Sequence, residues 1–415
     1  MELQTAKGVR DFPPEEKILR QQVVDILRTI FENYGFSPLE TPILERFETL
    51  SAKYAGGAEI LKETFKFKDQ GDRDIGLRYD LTVPLARFVG MNPNLKLPFK
   101  RYEIGRVFRD GPIKLGRYRE FWQCDIDIIG SKSMVAEAEL LTIVDEVFKK
   151  LKIDIDLKIN NRKLLDGIMI FAGIKENSNS AILSLDKIEK IGQDGVEKEL
   201  KEKGFSKDQI KKLFEAISKK KLSDFEKLLK DNEGVKELKE LFLLLDELKI
   251  SYKFDPCLAR GLAYYTGTVF EVFAKKEAIN SALAAGGRYD KMIGGFLESN
   301  KDYPAVGIAF GLEPITEILK TRVKDVKKTV TKYFIIPIKT LKESLIVAKK
   351  LRDKEINTDI DLMDRGISKN LDYANSLGIP FVIIIGPEEL KQKKVKVRDM
   401  KSGKETFVSV DSLKE

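Results

Sequence analysis

Apolar positions set the first boundaries along the chain. Ile18, Leu19, Val23, Ile26, Leu27, Ile30, Phe31 and Tyr34 recur at steps of three and four, and Gly35 follows them. That spacing predicts one amphipathic helix closed by a glycine. From about Ser37 to Val147 short alternating segments are broken by Gly and Pro, which predicts strands and turns, while Val135 to Leu151 repeats with a helical period. From Asn160 to Ile250 the texture becomes Lys- and Glu-rich with helical apolar sets such as Ile210, Leu213, Phe214 and Ile217. This reads as a helical insertion, because short strands punctuated by glycine resume from Ala259 to Ala309. The charged stretch Lys320 to Lys332 reads as a linker. The last module then reads strand (Tyr333 to Ile338), helix (Leu341 to Lys354), strand (Thr358 to Leu362), helix (Ser368 to Leu377), strand (Phe381 to Ile385) and a hairpin turning at Ser402-Gly403. Alternation of this kind predicts a small, mostly parallel sheet with helices on its faces.

Composition narrows what such a chain can do. Its 415 residues, 42% hydrophobic and 34% charged, suffice for two or three domain cores. Runs such as Phe381 to Ile385 fall far short of the roughly 20 apolar residues that cross a bilayer. No secretory leader is expected at Met1 to Thr5, and two cysteines make no disulfide framework, so the expected setting is reducing and cytoplasmic, with no membrane. The chain contains no histidine. Catalytic Ser-His and Cys-His pairs and histidine metal sites are therefore excluded, and any chemistry must use carboxylates, Arg, Lys, Tyr or a bound ion. No metal site is expected from Cys124 and Cys257, which read as small buried hydrophobes. Lys plus Arg exceeds Asp plus Glu by 8, and residues 320–415 alone hold 22 basic and 14 acidic groups. The basic excess thus sits in the last module, where it fits a polyanion partner as well as a soluble surface.

Four segments concentrate chemistry. In the run Phe99 to Gly130, period two places Gln123, Asp125 and Asp127 on one face and Trp122, Cys124, Ile126 and Ile128 on the other. The first arm puts Arg101, Glu103 and Arg109 on a common side, and the turn between the arms carries Gly111-Pro112, Gly116 and the basic residues Lys114, Arg117 and Arg119. Two readings of this hairpin stand, a sheet with one solvated face and a ligand-binding floor. The apolar bulk of Phe121 and Trp122 favours the floor. Leu258 to Glu271 brings Arg260, Tyr264 and Tyr265 on a glycine-hinged approach to a strand, and Ala284 to Asp290 joins paired glycines to Arg288, Tyr289 and Asp290. At Arg78 to Pro84, Thr82 is expected to cap a helix that has Pro84 in its first turn, with Asp80 near the positive end or free to bind an amine.

Together these segments resemble the class II aminoacyl-tRNA synthetases, in particular the histidyl-tRNA synthetase family, over nearly the whole chain. The likeness begins at Lys7-Gly8-Val9-Arg10-Asp11-Phe12, and Thr41-Pro42-Ile43-Leu44-Glu45 is similar to the class's first motif. Phe108 to Asp127, with Gly116-Arg117-Tyr118-Arg119 in its loop, resembles the second motif, and Pro304 to Glu313 the third. Arg260-Gly261-Leu262-Ala263-Tyr264-Tyr265 and Gly286-Gly287-Arg288-Tyr289-Asp290 are similar to the two signatures of the histidine-specific family.

The resemblance implies an α+β catalytic domain over 1–325, an antiparallel class II sheet flanked by helices with a helical insertion at about 160–250, and a C-terminal α/β anticodon-binding domain over 326–415. It implies a homodimer, L-histidine, ATP with Mg²⁺, and tRNA(His), whose 3′ end receives histidine from histidyl-adenylate. Residue by residue, it places Arg109 and Arg260 as catalytic groups on the reacting phosphate. Asp80, Leu81, Thr82, Gln123, Asp127, Arg260, Tyr264 and Tyr265 fall on histidine, Arg109, Glu103 and Arg101 on ATP, and Arg117 and Arg119 on the tRNA acceptor end. The sequence departs from the family at Pro314, where an arginine usually meets the γ-phosphate, and at Ala263, where many relatives have Asp. The alternative within the same resemblance is a catalytically silent paralogue, a regulatory subunit of ATP phosphoribosyltransferase. Arg109, Gln123, Arg260 and the C-terminal module stand against it, and Pro314 stands for it.

Overall fold

The computed structural model describes residues 2–52, 58–260, 264–277, 279, 281–299, 301–322 and 327–413. Two compact units form, one of residues 1–10 and 23–322, the other of residues 11–22 and 323–415. Gly261, Leu262 and Ala263 of the first signature, and positions 323–326 of the expected linker with the expected domain boundary inside them, lie outside the described residues.

The expected first helix runs Pro14–Asn33. Gly35 stops it at φ +76°, and the Phe36 N–H returns to the Phe31 carbonyl at 3.0 Å, a closure that needs a left-handed residue and so favours glycine. In the larger unit an eight-stranded sheet runs in the order Ser37–Pro38, Phe99–Phe108, Glu120–Ile129, Ala305–Gly311, Ala284–Arg288, Thr268–Ala274, Ile155–Asn161, Lys253–Phe254. All its pairings are antiparallel except the outermost one at each edge. Alternation sorts its side chains by face. Cys124, Ile126, Ile128, Val306, Ile308 and Phe310 join the helix residues Leu27, Phe31, Leu141 and Val144 in one core, leaving the polar row of the second arm on the other face.

The insertion is helical, as its periodicity predicts, with six helices between Arg162 and Glu247. Ser206 and Gln209 close one of them with a reciprocal capping box, and Leu164, Leu213, Leu238 and Leu241 fill its interior. In the smaller unit, Thr358–Ile360, Tyr333–Pro337 and Phe381–Ile385 are parallel, and Val395–Asp399 and Glu405–Val408 extend them antiparallel. Its sheet is thus half antiparallel rather than mostly parallel. Ile335 and Ile383 face the helix Leu341–Arg352, while Phe334, Ile336 and Val382 face Ile367–Ser376. The short helix Pro387–Lys391 was not apparent in the sequence pattern. Its start is fixed by Glu389 Oε2, which accepts from the Gly386 N–H at 2.9 Å.

Candidate active site

The site begins with sheet register. The first arm sets Arg101 opposite Asp127, Glu103 opposite Asp125 and Gly105 opposite Gln123. The strand on the other side sets Gly307, Ala309 and Gly311 opposite the same three residues, and Gly287 and Ala285 come next. A row of acidic and amide side chains is therefore bordered by positions with little or no side chain, which hollows the sheet into a cavity. It is lined by Asp80, Thr82, Arg109, Gln123, Asp125, Asp127, Arg260, Tyr264, Tyr265 and Tyr289 over a glycine and alanine floor. The spacing is tight. A Cβ at Gly307 would stand 1.9 Å from Asp127 Oδ1, and one at Gly287 would stand 2.9 Å from the Tyr265 ring.

Asp80 serves two directions. Its Oδ1 accepts the Val83 N–H at 3.0 Å and caps the helix Thr82–Met91, so Asp80, rather than the expected Thr82, is the capping side chain. Its Oδ2 is buried without a hydrogen-bond partner among the described residues. Burial pushes this carboxyl up to about 6, against the pull of the Val83 N–H and Arg109. Gln123 Oε1 is likewise a buried acceptor with no partner among the described residues.

The arginines are held from behind. Arg109 Nε donates to the Tyr79 carbonyl at 3.0 Å, and its guanidinium lies 5.2 Å from the Phe121 ring. Arg260 is ion-paired with Glu271 and lies 5.9 Å from the Tyr265 ring centroid, and its buried Nε has no hydrogen-bond partner among the described residues. Asp127 is fixed by Tyr289, whose hydroxyl donates to Oδ1 at 2.5 Å, and by Arg101, 2.8 Å from Oδ2. Tyr264 and Tyr265 pack at 4.7 Å between centroids, and Tyr264 meets Tyr289 edge-on at 6.1 Å.

The structure brings Asp80, Thr82, Arg109, Gln123, Asp127, Arg260, Tyr264 and Tyr265 together, and it does not bring five other expected residues into the cavity. Arg101 and Glu103, expected on ATP, are sealed inside the protein. Arg101 is fully buried beneath Asp127 and donates to the Leu81 carbonyl at 3.2 Å. Glu103 Oε1 accepts from Thr41 N, Thr41 Oγ1 and Arg78 Nη1 at 3.0, 2.9 and 2.7 Å. Leu81, expected on histidine, has a fully buried side chain and contributes only that carbonyl. Arg117 lies 3.6 Å from Glu63, and Arg119 lies 2.9 Å from Asp110 while its N–H bonds the Gly8 carbonyl. Both belong to the turn between the arms, outside the cavity lining.

Sequence reasoning passed over Asp125 and Tyr289 as site residues, although Asp125 shares the period-two row and Tyr289 belongs to a singled-out cluster. Arg288 of that cluster is structural, with Nε and Nη2 each 2.7 Å from the Glu137 carboxylate. Pro314 occupies the first turn of the helix Leu312–Arg322, and its neighbour Glu313 accepts the Trp122 N–H at 3.0 Å. A larger cleft borders the insertion between Leu185 and Lys190 and shares Glu271 with the arginine anchor. The unpartnered acceptors and the anchored arginines converge on the smaller cavity. Cys124 is buried in the core, and burial pushes the Cys257 thiol up to about 12. Among the described residues, no group of three carboxylate or cysteine side chains is placed to hold a metal ion.

Comparison with known proteins places this geometry. Residues 8–315 match the family model for histidyl-tRNA synthetase, and residues 332–415 match that for an anticodon binding domain. Histidine--tRNA ligase 1 of Bacillus cereus (strain ATCC 10987) is 46% identical over 425 residues, covering 100% of this chain and 97% of the relative. Histidine--tRNA ligase 2 of Shouchella clausii is 42% identical, with 98% of each chain covered. The crystal structure of histidyl-tRNA synthetase from Nostoc sp. PCC 7120 superposes with a TM-score of 0.86 at 30% identity, covering 99% of this chain and 98% of that one.

Proposed function

The chain belongs to the histidyl-tRNA synthetase family, and from that membership we infer that it activates L-histidine with ATP and transfers the histidyl group to the 3′ end of tRNA(His). It is an aminoacyl-tRNA synthetase. Full-length relatives that are ligases favour this reading over the regulatory paralogue. The observation that supports it in this chain is a cavity where buried acceptors, Asp80 Oδ2 and Gln123 Oε1 among them, lack donors among the described residues, beside two anchored arginines. A zwitterion satisfies both sets at once, since its ammonium needs acceptors and its carboxylate needs cations.

The chemistry then follows from positioning. The histidine carboxylate is already ionised at neutral pH, so its attack on the α-phosphorus of ATP needs alignment and charge neutralisation rather than a general base. A carboxylate oxygen bonds to phosphorus as the bond to pyrophosphate breaks. Arg109, tethered through Nε, keeps its terminal nitrogens for the α-phosphate and the carboxylate. Arg260, tethered to Glu271, neutralises the phosphorus centre from the other side. Asp80, Thr82 and Gln123 take the ammonium, Asp127 and Tyr265 the imidazole nitrogens, and Tyr264 closes the pocket. Each Asp127 oxygen keeps a lone pair beyond its present partner. A side chain that leaves this carboxylate unpaired is rejected, because an unsatisfied buried charge is costly. Mg²⁺ accompanies ATP in this reading; the chain provides no metal cluster among its described residues, and no step runs through the ion.

The basic module over 332–415 binds the anticodon of tRNA(His), supported by its family match and its charge excess, and the turn residues Arg117 and Arg119 meet the acceptor end. The chain works as a homodimer, supported by the exposed apolar Ile43 and Leu44 in its class II first motif. No helix among the described residues is long and apolar enough to cross a membrane, and the proposed setting is the cytoplasm. Charging of tRNA(His) with labelled histidine tests the reading. The wild-type chain is expected to charge and Arg260→Ala to lose the activity, whereas a folded wild-type chain that charges nothing would favour the regulatory alternative.

A further inference from the structure

The roles above leave one acidic group on the cavity floor without a task. Asp125 sits between Gln123 and Asp127 on the second arm, lines the cavity and is 2% exposed. Its Oδ1 is buried and has no hydrogen-bond partner among the described residues. Its neighbours explain why. Across the hairpin stands Glu103, whose oxygens serve Thr41 and Arg78, and on the other side stands Ala309, which offers no donor. Arg101 faces Asp127 at 2.8 Å and Glu103 at 4.0 Å. Asp80 directs one oxygen to its helix, and the Tyr289 hydroxyl is given to Asp127. No described side chain packed around Asp125 bonds this oxygen.

Buried carboxyl oxygens without partners are rare, because leaving one unmade costs its full desolvation. One that faces a binding cavity is completed by what the cavity holds. The ring to be recognised is imidazole, which in its neutral form carries one N–H donor and one bare nitrogen acceptor. A carboxyl can complement either edge, accepting from the N–H when ionised and donating to the bare nitrogen when protonated. Burial moves the Asp125 carboxyl well above the ordinary carboxylate range, with Arg101 opposing and Asp127, Asp80 and Glu103 adding to the shift. The shift extends upward the pH range over which the group keeps its proton. Asp127, whose Oδ1 takes the Tyr289 hydroxyl and whose Oδ2 is ion-paired with Arg101, stands beside it on the same face.

We propose that Asp125 is an additional histidine-recognising residue whose carboxyl shares with Asp127 the imidazole nitrogen that faces the sheet floor. The proposal rests on the histidine reading of the cavity. Its test uses the full chain and two variants, Asp125→Ala and Asp125→Asn, with L-histidine binding measured by calorimetry without ATP. The KM values for histidine and for ATP are measured separately in pyrophosphate exchange. The alanine variant is expected to bind histidine roughly 10- to 100-fold more weakly, the loss of one hydrogen bond to an ionisable group. The asparagine variant is expected to fall between it and the wild type, with the ATP KM of both within about twofold. Histidine binding within twofold of wild type in both variants would overturn the proposal, as would ATP and histidine affinities falling together. If the alanine variant does not fold, the isosteric asparagine variant decides by the same criteria. A wild-type chain that binds no histidine would overturn the substrate reading, and this inference with it.

Discussion

Gly307→Ala adds a single methyl group outside the reacting groups, yet the structure assigns it a large effect. The new Cβ would stand 1.9 Å from Asp127 Oδ1 and 3.0 Å from the Ile126 carbonyl, whereas ordinary contact begins at 3.4 Å. The strand is bonded on both sides, to the second arm and to Ala284–Arg288, so its backbone has little room to yield. Asp127 must instead retreat by about 1.5 Å. That movement takes Oδ1 out of hydrogen-bond range of the Tyr289 hydroxyl, now at 2.5 Å, and disturbs the Arg101 pair at 2.8 Å. Overpacking of this kind costs about 1–3 kcal/mol, and a lost hydrogen bond to a charged group about 1.5–3 kcal/mol. Part of that strain overlaps, which leaves about 2–4 kcal/mol. Because the displaced carboxylate is a proposed imidazole contact, kcat/KM for histidine is expected to fall roughly 30- to 900-fold, at about 1.36 kcal/mol per decade. Urea unfolding and histidine-dependent pyrophosphate exchange, with histidine and ATP varied separately, measure the two effects. A Gly307→Ala chain with wild-type stability and wild-type histidine KM would refute the placement of Asp127 against this strand.

Two further predictions use the same groups. Asp80 binds its proton more tightly when folded, with a value of about 6 against 3.8. The stability it contributes is therefore fully present below the lower value and lost as pH rises through about 6. Relative to Asp80→Asn, the ligand-free wild type should lose up to about 3 kcal/mol between pH 4 and pH 7, and parallel melting profiles over that range would contradict the burial of this carboxyl. Tyr289→Phe removes the donor to Asp127 but leaves Arg101, so the histidine KM should rise about tenfold with the ATP KM unchanged, read by the same exchange assay.

Several of these features were legible in the sequence for identifiable reasons. A period of two put Gln123, Asp125 and Asp127 on one face, and the register confirms that they share the cavity. Helical periodicity marked the insertion, and strand-helix alternation the last unit. What escaped depends on partners distant in sequence. The same period set Arg101 and Glu103 on the floor, but it could not show that Thr41 and Arg78 fill the space beside Glu103 and bury both residues. Tyr289 and Asp127 are separated by 162 residues, so their bond has no local signature. Thr82 looked like the helix cap because its residue type and the following Pro84 fit one. Asp80, two residues earlier, reaches the Val83 N–H instead. Gly307 gave no sign of its importance, since the clash that forbids a side chain there arises only when its strand pairs with the second arm.

Histidine activation is assigned to this cavity. Histidine-dependent exchange of labelled pyrophosphate into ATP, without tRNA and with proline and threonine as controls, tests it most directly. Exchange is expected with histidine alone, which would also show that Pro314 is compatible with ATP use. A folded chain that exchanges with none of the three amino acids, or equally with all of them, would contradict it.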